Sequence, residues 1–457
     1  MLPAAAPRAA FLASLRALLA LALPIAGVSV GMMLMGVVET LIVGHVSPVA
    51  LAAVALGHLY FFVVLVFGTG VLSTLDPLIA QGLGANDQSQ VTLAVQRGVL
   101  ISLALSAAAV LFYLPAGAVL RWLGQPIEVV PAAEAFVHAS IAGAPPFLLY
   151  FVFGRSLNAM QRPRAVVVTV VAANVVNALL CAALTLGWYG MPRLGVVGAA
   201  WSGTLSRWFM AGTLLWLGRH ELVPRLKPFR SESTDLRALW RMFSLGAPLG
   251  ATAMLEFGIF ATIALMVGRF GTVAVAGHQV AINITSFTFM VPMGISGATS
   301  VLVGQAVGRD DLPAARRAAG AGLALGTCCM LATSALYVLM PRQLSGLYTP
   351  DLGVLAMAAS LLPISGVFQL FDGAQVVCVG ALRGLGDTRA PMWINMIGFW
   401  VFGMPISLLL GFRLGLGPVG LWWGFVGGLG AVAVLLMLRL RSRLERGVVR
   451  VRVDEQA

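Results

Sequence analysis

Four carboxylates occur inside long apolar runs of this 457-residue chain: Glu39, Asp76, Glu256 and Asp372. A charged side chain at the centre of a bilayer costs about 2.5–3.5 kcal/mol on insertion scales, so each acid needs something to balance it. No Lys lies in those runs, and the one Arg well inside a run is Arg207. A buried acid without a resident cation calls for a proton, a metal cation or a cationic ligand. Glu256 and Asp372 are the pair expected to couple to H+ or to hold Na+ transiently, with Glu39 as a third coupling acid. Asp76 immediately precedes Pro77 and reads as structural or gating.

The residues around these acids suit cation recognition. Asp372 stands four residues after Phe368 and three before Gln375, so all three share one helical face. Phe368 and Phe371 offer ring faces to an organic cation. Gln279, Asn283 and Ser286 form a polar stripe at helical spacing, and Asn174, Asn177 and Cys181 form another. Such stripes either line an ion or substrate site or hydrogen-bond neighbouring helices. Met32, Met33 and Met35 read chiefly as packing; His45, His58, His138 and His278 are lone histidines that read as hydrogen-bonded packing residues. Cys181, Cys328, Cys329 and Cys378 lie in apolar runs without metal-ligand spacing, so neither disulfides nor a bound cofactor are expected.

The elements that must carry these residues are membrane helices. Hydrophobic residues make up 59% and charged residues 10% of the chain, too few charges for a water-soluble surface. Polar breaks divide it into twelve spans near 17–43, 51–80, 94–119, 133–154, 165–188, 195–218, 240–268, 274–305, 314–340, 353–381, 392–412 and 418–438. Several exceed the roughly 20 residues of a straight crossing, which predicts tilted or broken helices. Residues 18–26 resemble a signal-peptide core, but the apolar run continues past them, so a retained first helix is expected.

A net charge of +12 would suggest nucleic acid in a soluble chain; here its distribution reports topology. With both termini on one side, the opposite side holds only Arg121, Arg193, Arg269, Arg342 and Arg413. Apart from Arg207, every other basic residue falls on the side of the termini, which places them in the cytoplasm and excludes a nucleic-acid partner.

The chain is also written twice. Leu23-Pro24 matches Ala247-Pro248 at an offset of 224, and the seven residues from Leu78 to Gly84 match Leu302 to Gly308 at the same offset. Leu157 and Arg164 match Leu382 and Arg389 at 225, and Leu194 to Gly198 match Leu416 to Gly420 at 222. Six helices per half make the repeats parallel. The expected organisation is a six-helix bundle over 1–218, an Arg-rich cytoplasmic linker over 219–239, a second bundle over 240–438 and a basic cytoplasmic tail over 439–457. The acids are not repeated, since Glu256 meets Met32 and Glu39 meets Ile263.

At these residues the chain resembles the multidrug and toxic compound extrusion (MATE) family, in its NorM-like bacterial branch. The likeness rests on the stretch from Met254-Leu255-Glu256-Phe257 to Ala276-Gly277-His278-Gln279-Val280-Ala281-Ile282-Asn283. It rests equally on Phe368-Gln369-Leu370-Phe371-Asp372, leading into Gly380 to Arg389. Glu39 stands where that branch usually carries Asp. The resemblance implies an all-α, twelve-helix inner-membrane protein, a monomer, that is not an enzyme. It further implies export of lipophilic cationic or aromatic molecules against H+ or Na+, with Glu256 and Asp372 as the second-half cation site. Phe368 replaces a frequent Tyr and Cys181 a second Asn, which removes hard oxygen ligands that sodium prefers and favours protons.

Two other readings carry less. A flippase for anionic lipid-linked substrates fits the layout but would line its cavity with several Arg. An intramembrane serine protease is suggested by Gly294-Ile295-Ser296-Gly297, but no His follows His278 to complete a dyad.

Overall fold

The computed structural model describes residues 7–447 and 449–454, all helix, turn or coil with no strand among them. Alanine, leucine and valine runs become helices because backbone N–H and C=O groups at lipid depth find no water and must pair within the segment. Among the described residues eleven helices are long and apolar enough to cross a membrane. The expected span at 195–218 is also a helix, Val196–Leu217, of 22 residues. It falls outside the eleven and carries Ser202, Thr204, Ser206 and Arg207 among its apolar residues. Large apolar side chains such as Leu111, Trp216, Leu265 and Leu339 stand exposed, a surface suited to lipid and not to water.

Four long helices run through an internal proline, where one backbone donor is missing. Pro7–Gly44 contains Pro24, Leu236–Val267 contains Pro248, Thr272–Gly308 contains Pro292 and Leu352–Gly384 contains Pro363. The expected 51–80 span is two helices, Pro48–Leu72 and Leu75–Gly84, parted at Ser73-Thr74 ahead of Pro77. The expected 94–119 span runs instead from Gln88 to Tyr113, because Asp87 caps it by accepting from Gln90 N at 3.0 Å. The last helix, Gly417–Glu445, continues past the expected end at 438, carried by the Arg441–Glu445 pair and by Arg439 on Asp387. The Arg389–Arg413 span opens into wide π turns over Met396–Gly403 and Leu409–Arg413.

The repeat is legible in local geometry. Asp311 caps Leu312–Leu339 through Ala314 N at 2.8 Å, the counterpart of the Asp87 cap. The residues before these caps, Asn86 and Asp310, both take the left-handed backbone, with φ of 56° and 54°.

Two compact units emerge, one of Met1–Ala26, Ala80–Asn86 and Ala251–Val451, the other of Gly27–Ile79, Asp87–Gly250 and Arg452–Ala457. Each is completed by the lead-in of the other half's first helix. In the first unit, a Cβ on Gly294 would lie 2.7 Å from Ala26 Cβ and 2.8 Å from Ala22 O, so only glycine permits the approach. In the second, the equivalent Gly70 would bring a Cβ 2.5 Å from Gly250 Cα. The first unit also joins the repeated motifs reciprocally. A Cβ on Gly84 would strike the Gln305 carbonyl, and one on Gly308 the Gln81 carbonyl. Gln81 then spends its amide on Gly384 O at 2.9 Å and its oxygen on Val451 N at 2.8 Å.

Candidate functional site

Glu256 sits in Leu236–Val267, eight residues beyond Pro248, and is partly buried. Its Oε1 accepts two amide N–H bonds, from Gln375 Nε2 at 2.7 Å and from Asn395 Nδ2 at 2.7 Å. Gln375 is one of the residues singled out by spacing; Asn395 is not. The sequence signal for Asn395 is an amide within the largely apolar 389–413 span, just before the wide turns that begin at Met396. Trp400 ties the same span to the Glu256 helix a second time, donating Nε1–H to Leu255 O at 3.3 Å.

Asp372 is 6% exposed and lies within Coulombic reach of Glu256. It forms no hydrogen bond or ion pair among the described residues, and Glu256 forms no ion pair. Two acids are therefore brought together with amide partners on one of them and no fixed positive charge. Among the described residues no three His, Cys, Asp or Glu side chains gather as a metal-holding group, so any cation here would rest on two carboxylates and neutral oxygens.

The other singled-out residues divide. Phe368 is 1% exposed and belongs to an aromatic core with Phe260, Trp422 and Phe425, at centroid distances of 6.1, 6.5 and 5.1 Å. Its ring is packed on aromatic neighbours on the same helix as Asp372. Phe371 is only partly buried and lies against Gly430. Gln279 is exposed and Asn283 partly buried on Thr272–Gly308. The inner face of that helix holds a network the stripe did not include. Thr285 meets Ser365 at 2.6 Å, Thr288 meets Tyr337 at 2.6 Å, and Gln369 donates to Thr288 at 2.6 Å. Ser296 donates to Val376 O at 2.7 Å and His278 accepts from Trp422 at 3.1 Å, so both serve packing.

In the second unit the acids have neighbours of opposite sign, which corrects the expectation that they stand without one. Asp76 is ion-paired to Arg155 at 3.0 Å, a residue that reaches inward from the helix Ala144–Ala159. Glu39 is 3% exposed, its Oε1 3.1 Å from His58 Nε2, and Arg207 lies within its Coulombic reach. His58 is thus not a lone packing histidine. Asn177 donates to Ser206 at 3.3 Å and leaves its Oδ1 buried without a partner; Cys181 meets Thr185 at 3.5 Å.

Comparison with known proteins agrees with the duplicated layout. The MatE family model matches residues 24–183 and again 248–409, once in each half. A probable multidrug resistance protein NorM of Xanthomonas axonopodis pv. citri is 37% identical over 448 residues, covering 97% of each chain. Its counterpart in Rhizobium meliloti is 34% identical over 440 residues, 94% of each chain. The multidrug resistance protein PmpM of Pseudomonas aeruginosa is 34% identical over 450 residues, 95% of this chain and 92% of that one. The fold matches that of the eukaryotic MATE transporter AtDTX14, with a TM-score of 0.86 at 21% identity over 96% of this chain and 99% of that one. This chain, a multi-pass membrane protein, belongs to the MatE family.

Proposed function

We propose that the chain is a secondary multidrug efflux transporter that exports lipophilic cationic or aromatic molecules by antiport against H+ or Na+. The observation that carries this reading is the company of Glu256: two amide donors and a second carboxylate, with no guanidinium or ammonium paired to it among the described residues. Amides hold a carboxylate in place without cancelling its charge, and they bond equally to its protonated form by presenting the other end. The pair thus accepts a cationic drug or a coupling ion, one displacing the other. Arrival of the ion neutralises the acids, releases the drug and permits the empty return.

Phe368 and Cys181 supply no hard oxygen, which favours H+ as at least an equal partner to Na+. Glu39, with His58 beside it, is a third position for a proton. Gln279, Asn283 and Phe371 line the substrate or ion path in this reading, with Asn177 and Cys181 in the other unit. The protein works as a monomer in the bacterial inner membrane, both termini in the cytoplasm.

Proteoliposomes with separately imposed pH and sodium gradients test the proposal. Uptake of a labelled phosphonium cation driven by either gradient supports it, and uptake indifferent to both overturns it. A strict sodium requirement with no response to pH would remove the preference for protons while leaving antiport standing.

A further inference from the structure

The second half carries a buried polar network that the first half does not repeat. Tyr113 and Tyr337 correspond at the 224 offset. Each donates its hydroxyl to a carbonyl of the same repeated helix, Tyr113 to Phe61 O at 2.9 Å and Tyr337 to Ile284 O at 3.0 Å. That tyrosine bond is shared scaffold. The polar residues added around it in the second half are not shared. Thr285 and Thr288 fall on Phe61 and Val64, and Gln369 falls on Ala144 at the offset of 225. Thr285 meets Ser365, Thr288 meets Tyr337, and Gln369, fully buried, reaches Thr288 from the helix that carries Asp372.

The partners of the Gln369 amide fix which end points where. Nε2 donates to Thr288 Oγ1 at 2.6 Å and also lies 3.4 Å from Thr285 O. A backbone carbonyl only accepts, so the nitrogen must be the end that faces it. Oε1 is left buried with no hydrogen-bond partner. An acceptor orphaned in this way is costly and calls for a donor that arrives during function. Asp372 stands three residues on, on the same helical face, and its side chain leans back toward the Gln369 turn. It has no hydrogen bond of its own among the described residues. The other titratable groups here are already engaged. Glu256 takes two amide donors, which suit an ionised oxygen, and Tyr337 is tied to Thr288 and Ile284 O. Asp372 is offered an acceptor and no donor, and only a protonated carboxyl can use an acceptor.

We propose that Gln369 Oε1 accepts the proton that Asp372 gains when H+ replaces the cationic substrate, so that Gln369 is a positioning residue setting the pair's preference for H+. The proposal rests on the efflux reading above and deepens it. One H+ adds to a carboxylate oxygen, the new O–H turns to Oε1, and one monovalent cation leaves, so the charge of the site is unchanged. Thr288 keeps the amide nitrogen engaged and thereby keeps the oxygen free for the carboxyl.

Binding of labelled tetraphenylphosphonium to the full chain in detergent, in sodium-free buffer across a pH series, tests it. Wild type releases the cation as pH falls through a midpoint. Gln369→Leu moves that midpoint down by about one pH unit, the scale of one hydrogen bond. A leucine acting only by drying the site would move it up, since burial disfavours a charged carboxylate. Thr288→Val moves it down by less, because Nε2 keeps Thr285 O. Gln369→Asn, which retracts the oxygen by one carbon, also moves it down and serves if Gln369→Leu does not fold. Tyr337→Phe, which removes the scaffold bond, leaves the midpoint in place. A midpoint unmoved or raised in the Gln369 variants, an equal shift in Tyr337→Phe, or wild-type binding indifferent to pH overturns the proposal. Gln369→Leu that loses displacement of the phosphonium by sodium, with its pH midpoint unmoved, overturns it too and assigns the oxygen to sodium. Those outcomes leave cation antiport standing. Failure of wild type to bind the phosphonium at any pH would instead sink the efflux reading, and this inference with it.

Discussion

Asn395 Nδ2 lies 2.7 Å from Glu256 Oε1, and the same oxygen takes a second amide from Gln375. One carboxylate oxygen is therefore held by two helices, Leu352–Gly384 and Arg389–Asn395, each through a neutral amide. Asn395→Leu should reduce ion-driven drug uptake about tenfold, the scale of one hydrogen bond to a charged group. Asn395→Gln should fall between the two. Membrane abundance measured alongside separates this from misfolding; unchanged uptake would remove Asn395 from the site.

Asp372→Asn keeps the shape and deletes the charge. Drug export driven by an imposed pH or sodium gradient should fall to the level of protein-free vesicles, while the protein purifies as a normal monodisperse peak. A variant with wild-type drug resistance and ion-driven uptake would refute the exchange at this pair.

Asp76 and Arg155 make a different prediction, because their charges already cancel. Removing one partner of a largely buried pair deprives the other of the opposite charge it faces, at a cost of about 3–5 kcal/mol. Arg155→Leu should lower the melting temperature sharply, and Asp76→Asn combined with Arg155→Leu should restore much of it. Additive losses in the double variant would show that the pair is not coupled.

The glycine approaches predict steric failure without any change in chemistry. Gly70→Val and Gly294→Val each drive a branched side chain into a backbone or methyl group less than 3 Å from where its Cβ would start. Overpacking of this kind costs about 1–3 kcal/mol or more. Yield and melting temperature should drop in both, with Gly320→Val, which has open space around it, as the tolerated control.

Much of this was readable beforehand because lipid imposes a simple code. Apolar runs had to be helices, and the 224-residue echo from Leu78–Gly84 to Leu302–Gly308 marked a duplication that the twin aspartate caps express in three dimensions. Gln375 was found because it shares a turn with Asp372, which is information along one helix. Asn395 and Arg155 were missed for the opposite reason. Each meets its acid from another helix, and helix periodicity says nothing about which faces will meet. His58 looked solitary for the same cause, since Glu39 lies nineteen positions earlier on a separate helix. Phe368 shares a helical face with Asp372 by spacing, yet its neighbours Phe260 and Phe425 claim its ring, a matter of packing that spacing cannot reveal.

The exchange of helix openings at Pro24 and Pro248 has a bearing on how such a protein is assembled and dissected. Ala22 and Ala26 belong with Gly294, and Gly246 and Gly250 with Val71, Phe67 and Gly70. A fragment ending within 219–239 would lack the strip that seals its own bundle and would carry instead one needed by its sister. During synthesis the earlier half must wait for residues beyond the linker before its last crevice is filled. Trimming the chain's opening would be felt first around Gly294, some 270 residues downstream.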